Sequence, residues 1–209
     1  ENYNGTFDVL IEISDGEVFD STDFTLTVNA VNDAPIVLQP LDDINLLEDT
    51  GAATMVLSTY FGDIDGDELQ FSIELNTSEF ISADINGDTL IINTIEDQFG
   101  GPVIATVTAS DQISSISATD IFEIQVIGIN DPPILSQISN QIIDEDDYLV
   151  YSLIGYDIDN DDLIYDGQIS GYGEMNITGN ILSISPDPDY YGDINLTVSV
   201  SDGEYTDST

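Results

Sequence analysis

The sequence predicts an all-β protein built of tandem Greek-key β-sandwiches. Three observations carry this. Apolar residues alternate with polar ones over short runs, clusters of Gly, Asn, Asp and Pro separate the runs, and the pattern recurs at roughly one hundred residues. Val31-Asn32-Asp33-Ala34-Pro35-Ile36 returns as Ile129-Asn130-Asp131-Pro132-Pro133-Ile134. Ser-Asp-Gly-Glu stands at 14–17 and again at 201–204, with a weaker copy, Ser110-Asp111-Gln112, between them.

The alternating runs give the strands. Phe7, Val9, Ile11 and Ile13 match Val103, Ala105, Val107 and Ala109, then Ile194, Leu196, Val198 and Val200. In the next strand Phe24, Leu26 and Val28 match Phe122, Ile124 and Val126. Earlier in the repeat, Leu69 and Phe71 match Leu163 and Tyr165, and Leu90 and Ile92 match Leu182 and Ile184. A period of two with one polar face marks antiparallel sheets, and no stretch has a convincing helical period. About seven short strands per repeat suit a Greek-key sandwich.

The repeat sets the boundaries. Residues 1–22 align with 188–209, through Tyr-x-Gly, a strand, Ser-Asp-Gly-Glu and Asp-Ser-Thr. Residues 1–31 therefore read as the last two strands of a preceding repeat, and 32–129 as a complete one. Residues 130–209 read as a repeat lacking its last strand, ending just before it. The first residue is Glu, not Met, which suggests a piece of a longer chain. Two readings stay open for the ends: a window from a longer array, or strand donation. In the second, residues 23–31 of one copy complete the third repeat of another by β-augmentation.

Composition excludes much. The 209 residues hold 42 Asp and Glu, no Lys, Arg, His or Cys, and a formal charge of −42. Without cysteine there is no disulfide or thiolate metal site, and without histidine no imidazole catalysis. Without Lys or Arg, nucleic acid and anionic membranes are poor partners. No apolar run is long enough to span a bilayer, and there is no signal peptide. The hydrophobic fraction of 41% is nonetheless enough for small cores.

The acidic residues gather. Asp63-Ile64-Asp65-Gly66-Asp67 returns as Asp157-Ile158-Asp159-Asn160-Asp161. In a sandwich whose termini lie at opposite ends, the loops after the second and sixth strands lie at the N-terminal end. The turns after the first and fifth lie at the other end. One joint should then collect Asn32, Asp33, Asp63, Asp65, Asp67 and Asp111, with Glu1 as a further contributor. The next should collect Glu48, Asp49, Asp97, Asn130, Asp131, Asp157, Asp159, Asp161 and Asp202. Two carboxylates 4 Å apart repel by about 4 kcal/mol at an effective dielectric near 20. Ca²⁺ relieves this, because it takes six to eight oxygen ligands in irregular geometry, whereas Mg²⁺ demands an octahedron and keeps its waters. The plainer reading is that Asp-Gly and Asn-Asp are ordinary turn formers facing water. An EF-hand does not fit: Glu68 stands where that loop needs glycine, and the flanks alternate as strands.

Taken in order, Asn-Asp-Ala-Pro, Glu48-Asp49-Thr50, Asp-x-Asp-Gly-Asp-x-Leu, Gly-x-x-Leu-x-Ile, a Tyr/Phe-Gly turn and Ser-Asp-Gly resemble the bacterial cadherin-like tandem repeats of large secreted and surface proteins. The resemblance implies immunoglobulin-like (cadherin-like) sandwiches in a linear array, with Ca²⁺ at or near the joints. Two departures stand out: Asp111-Gln112-Ile113 replaces Asp-Gly-Glu, and Glu145-Asp146-Asp147 replaces Glu-Asp-Thr.

The expected role is a Ca²⁺-stiffened structural or adhesive segment of an extracellular stalk, filament or adhesin. Its partners would be neighbouring repeats and, by strand exchange, other copies. The alternative is a carbohydrate-binding or accessory module of a secreted enzyme, against which the absence of Trp counts. Catalysis is not expected, since only carboxylate-pair chemistry is available and that needs a cleft. Tyr3, Phe99 and Tyr190 read as packing residues at sandwich corners. Asn4, Asn76, Asn176 and Asn195 match the N-glycosylation pattern, which is common by chance.

Overall fold

The computed structural model describes residues 3–111 and 116–209. Gln112, Ile113 and Glu1 lie outside the described residues. The chain divides into two compact units, residues 1–127 and 128–209.

Unit 1 opens with a long hairpin. Strands β1 (Gly5–Ser14) and β2 (Phe19–Val28) pair antiparallel along their whole length. The turn between them is held by Asp15, whose Oδ1 accepts the amides of Glu17 at 2.9 Å and Val18 at 3.0 Å. None of the hairpin's described residues joins the buried core.

A sandwich follows. Its strands are β3 (Ile36–Val37), β4 (Ile44–Leu47), β5 (Ala53–Val56), β6 (Phe61–Gly62), β7 (Gln70–Leu75), β8 (Ile81–Asn86), β9 (Thr89–Thr94), β10 (Gly100–Ser110) and β11 (Ala118–Ile127). One sheet runs β4-β11-β10-β7, with β4 parallel to β11; the facing sheet runs β5-β9-β8. β3 and β6 form a short antiparallel pair of their own. The first predicted strand is thus split, β3 pairing with β6 and β4 lying at the edge of the four-stranded sheet. Two aspartates stitch β4 into place: Asp120 Oδ2 accepts the Leu41 amide at 2.6 Å, and Asp43 Oδ1 the Glu123 amide at 2.8 Å. The second strand is interrupted by a 3₁₀ turn, Leu57–Thr59.

The alternation predicts which side chains fill the core. Val103, Ala105, Val107 and Ala109 of β10, Phe122, Ile124 and Val126 of β11, and Leu90 and Ile92 of β9 are all buried. Burial of an aliphatic or aromatic side chain stabilises by about 1.5–3 kcal/mol, so these few strands supply most of the unit's cohesion.

Unit 2 repeats the plan. Its strands are β12 (Ile134–Leu135), β13 (Leu149–Ser152), β14 (Gly155–Tyr156), β15 (Ile164–Ser170), β16 (Gly173–Thr178), β17 (Ile181–Pro186), β18 (Asn195–Ser201) and β19 (Thr206–Ser208). The sheets are β15-β18-β19 and β13-β17-β16, with β12 paired to β14. Leu135, Leu153, Leu182, Ile184, Val198 and Val200 form its core. The sequence reading places the seventh strand beyond residue 209; it begins at Thr206 instead.

Candidate metal-binding poles

Each unit has one acidic end built by the same contacts. In unit 1 the loop between β6 and β7 carries Asp63, Asp65 and Asp67. Asp63 Oδ1 accepts the Asp65 amide at 2.8 Å and the Asp67 amide at 3.4 Å. This turn needs a left-handed residue at its fourth place, and Gly66 sits there at φ 82°. In unit 2 Asp157 Oδ1 accepts the amides of Asp159 at 3.0 Å and Asp161 at 3.2 Å. Asn160, at φ 64°, fills the left-handed place; asparagine is among the few other residues that tolerate it.

The chain entering each unit is tied to the same pole. The Asp33 amide donates to Asp65 Oδ2 at 2.7 Å, and Asn32 Nδ2 to Asp111 Oδ2 at 2.8 Å. In unit 2 the Asp131 amide donates to Asp159 Oδ2 at 2.7 Å, and Asn130 Nδ2 to Asp202 Oδ2 at 3.0 Å. Asn32, Asp33, Asp63, Asp65, Asp67 and Asp111 are therefore one cluster. Asn130, Asp131, Asp157, Asp159, Asp161 and Asp202 are another. Within unit 1, Asp63, Asp65 and Asp67 can each bring a carboxylate oxygen within 4.8 Å of the others.

In the acidic loop of each pole one atom stands out. Asp63 Oδ2 and Asp157 Oδ2 are buried and accept no hydrogen bond. Their sister oxygens take the loop amides, so these two point inward, among other carboxylates. A buried acceptor left unsatisfied costs about 1–3 kcal/mol, more when charged. The chain has no basic side chain to relieve it. The donor set is oxygen-rich, with no sulfur or imidazole nitrogen, which fits a hard cation such as Ca²⁺. Asp63, Asp65, Asp67 and Asp111 would hold it in unit 1, and Asp157, Asp159, Asp161 and Asp202 in unit 2.

Electrostatics agree. Desolvation raises the Asp67 carboxyl above its ordinary value, helped by Asp63, Asp65 and Asp111. Desolvation likewise raises Asp161, with Asp157, Asp159, Asp202 and Asp162 adding to it. Asp202 is opposed by desolvation but ends lowered, because the amides of Glu204 and Tyr205 and the Asn130 side chain favour its charged form. The Val18 and Glu17 amides lower Asp15 in the same way.

These directions fix a pH dependence. A carboxyl raised on folding contributes stability that is full below its unfolded pKa and lost as pH rises through its folded pKa. Asp67 and Asp161 therefore favour the fold in acid. Asp202 and Asp15, being lowered, contribute above the ordinary carboxylate range, and that contribution is lost as pH falls through their folded values. In chelator, melting temperature is expected to rise as pH falls from neutrality toward that range and to drop below it. In Ca²⁺ the first rise should vanish, since protons then compete with the metal. Melting curves across pH with and without Ca²⁺ check both limbs.

The remaining candidates lie on two turns of unit 1. Glu48 is fully buried, and its amide donates to Ile127 O at 3.1 Å. Asp97, at φ 55°, donates its amide to Oδ1 of Asp49, itself at φ 59°, at 3.3 Å. Unit 2 has the same device, with the Asp189 amide donating to Asp146 Oδ1 at 3.2 Å. Sequence reasoning missed Asp146 and Asp189, although they stand one repeat on from Asp49 and Asp97. Of the corner aromatics, Tyr190 stacks on Tyr172 at 4.7 Å between ring centroids, and Tyr3 packs on Phe7 at 4.8 Å. Phe99 is about half exposed.

Residues 130–209 match a family model described as a bacterial Ig domain. Unit 2 is thus an immunoglobulin-like repeat. No curated protein matches the chain. Among solved structures, an endo-fucoidan hydrolase of glycoside hydrolase family 107 is similar at 16% identity and TM-score 0.42, covering 99% of this chain and 33% of the hydrolase. Drosophila N-cadherin EC1-4 is similar at 16% identity and TM-score 0.36, covering 97% of this chain and 56% of the cadherin. Titin domains Z1Z2 in complex with telethonin are similar at 14% identity and TM-score 0.37, covering 86% and 94%. The chain therefore spans about a third of the hydrolase's length. Among the described residues no helix is long and apolar enough to cross a membrane.

Proposed function

We propose that this chain is a non-catalytic structural segment of a secreted or cell-surface protein, stiffened by Ca²⁺ bound at the acidic pole of each immunoglobulin-like unit. The observation that carries the reading is the pair of buried, unsatisfied oxygens, Asp63 Oδ2 and Asp157 Oδ2, at equivalent places in two copies of one loop. A metal there would neutralise a cluster that the chain's own residues cannot.

The stiffening follows from the linker contacts. Asn32 and Asp33, and likewise Asn130 and Asp131, reach their pole through carboxylates that would also ligate the metal. With Ca²⁺ bound, those carboxylates are fixed, and the linker is fixed with them. Without it, mutual repulsion loosens the acceptors. An extracellular setting suits such sites, because dissociation constants of about 10⁻⁴–10⁻³ M suffice for extracellular Ca²⁺ modules. An adhesive role for the parent protein is part of the same reading.

The test is backbone relaxation by NMR at the amides of Asn32, Asp33, Asn130 and Asp131. Order parameters are expected to rise from below about 0.6 in chelator toward about 0.85 in millimolar Ca²⁺. Values that are the same in both conditions would reject Ca²⁺ as the stiffening element.

A further inference from the structure

We propose that Tyr172 and Tyr190 of unit 2 are a crosslinking site, where a one-electron oxidant joins the two phenol rings into dityrosine and so staples the two sheets. The rings are stacked, with centroids 4.7 Å apart and planes 29° from parallel. Theirs is the one tyrosine–tyrosine ring contact among the described residues.

Backbone contacts hold the pair in place. Tyr172 O accepts the Asp187 amide at 3.2 Å, and Asp187 O accepts the Tyr190 amide at 3.1 Å. One aspartate therefore ties both tyrosines together. Tyr190 donates its hydroxyl to Asp193 O at 3.2 Å. That hydroxyl lies so close to Gly192 that a Cβ there would come within 2.9 Å of it. Tyr190 is half-buried, whereas Tyr172 is 61% exposed and open to an oxidant.

Packing alone does not ask for hydroxyls. In unit 1 Phe80 stands immediately before β8, and Phe99 stands two places before Gly101. Their counterparts in unit 2 are Tyr172, immediately before β16, and Tyr190, two places before Gly192. Both places need only a ring, and unit 2 alone fills both with phenols.

Tyr172 lies between β15 and β16, and Tyr190 between β17 and β18. Each of those connections passes from one sheet to the other. A bond between them closes a loop around β16 and β17 and fastens both crossings. Closing a loop removes entropy from the unfolded chain, as a disulfide does. The sequence has no Cys for a disulfide and no Lys for a side-chain amide.

The chemistry balances with hydrogen peroxide as oxidant and a haem peroxidase to deliver it. Each phenol gives up one electron and one proton. The two phenoxyl radicals couple through a ring carbon ortho to each oxygen. The hydrogens on those carbons move to the oxygens and restore both phenols, so the net loss is two hydrogen atoms. Peroxide takes both electrons and both protons and leaves as two waters. Coupling within a preset pair is unimolecular, so it outruns coupling between chains when protein is dilute. The net charge of −42 also keeps chains apart.

The experiment exposes the full chain, dilute, to haem peroxidase and hydrogen peroxide, and reads dityrosine fluorescence, intact mass and melting. A monomer lighter by two hydrogens is expected, formed at a rate constant independent of protein concentration. Proteolysis at Asp and Glu should yield one linked peptide pair, joining Tyr172 to Tyr190. The crosslinked monomer should melt at a higher temperature than the untreated chain. Tyr172→Phe and Tyr190→Phe keep a ring at each place and should each abolish the crosslinked monomer. Tyr191→Phe, at a neighbour that is 86% exposed, should leave it in full yield. A chain that yields no crosslinked monomer overturns the proposal. So does a crosslinked monomer that persists in either of the first two variants, is lost in the third, or melts no higher than the untreated chain.

Discussion

Asp157→Asn is expected to move stability in opposite directions with and without Ca²⁺. The asparagine keeps the oxygen that accepts the Asp159 and Asp161 amides, so the loop retains its shape. It replaces the buried, unsatisfied Oδ2 with an amide that can donate to the surrounding carboxylates. It also removes one charge from a cluster in which Asp161 is already raised by its neighbours. In chelator the variant should therefore be more stable than the parent by about 1–3 kcal/mol, the scale of one unsatisfied buried group. In Ca²⁺ the parent should gain about 2.7–4.1 kcal/mol at 100 to 1,000 times the dissociation constant, and the variant should lose most of that gain. Asp63→Asn should do the same in unit 1. Urea unfolding of parent and variants in both conditions reads the crossover. A solvated turn would give one small effect, indifferent to Ca²⁺.

Phe122→Ala should be the most damaging single truncation in unit 1, costing about 3–5 kcal/mol. Phe122 is 1% exposed and shares the core with Phe61, Leu90 and Ile92. The aligned change Phe24→Ala, at a residue 49% exposed on the hairpin, should stay within about 0.5 kcal/mol for the isolated chain. Urea unfolding of the two variants at low protein concentration makes the comparison. Similar losses would mean that the hairpin packs as tightly as β11 does.

That contrast shows what alternation carries. Phe7, Val9, Ile11 and Ile13 share a pattern with Val103, Ala105, Val107 and Ala109, and both runs form strands. The second run is fully buried, while Ile11 and Ile13 of the first are 52% and 71% exposed. A period of two says which side chains share a face; a facing sheet is needed to cover it. The splitting of the first strand into β3 and β4 was equally hidden. It depends on Asp43 and Asp120 bonding amides far along the chain, and local propensity holds no record of such pairs.

The acidic poles were more legible, because they are built from local turns. Asp-x-Asp-Gly/Asn-Asp dictates which side-chain oxygen accepts which amide within five residues, and two copies in register make the pattern visible. The meeting of Asn32 with Asp111, and of Asn130 with Asp202, followed from which loops share one end of a sandwich. Nothing local distinguished Glu48, which is fully buried, from Glu145 in the corresponding turn, which is exposed. Asp146 and Asp189 could have been found by carrying Asp49 and Asp97 forward one repeat.

On the proposed reading the two poles are Ca²⁺ sites. Thermal unfolding of the full chain at fixed pH, in excess chelator, in millimolar Ca²⁺ and in millimolar Mg²⁺, tests it most directly. Melting temperature is expected to climb with the logarithm of Ca²⁺ concentration and to move little with Mg²⁺. Coincident melts in all three conditions would contradict it and leave the repeated aspartate loops as solvated turns.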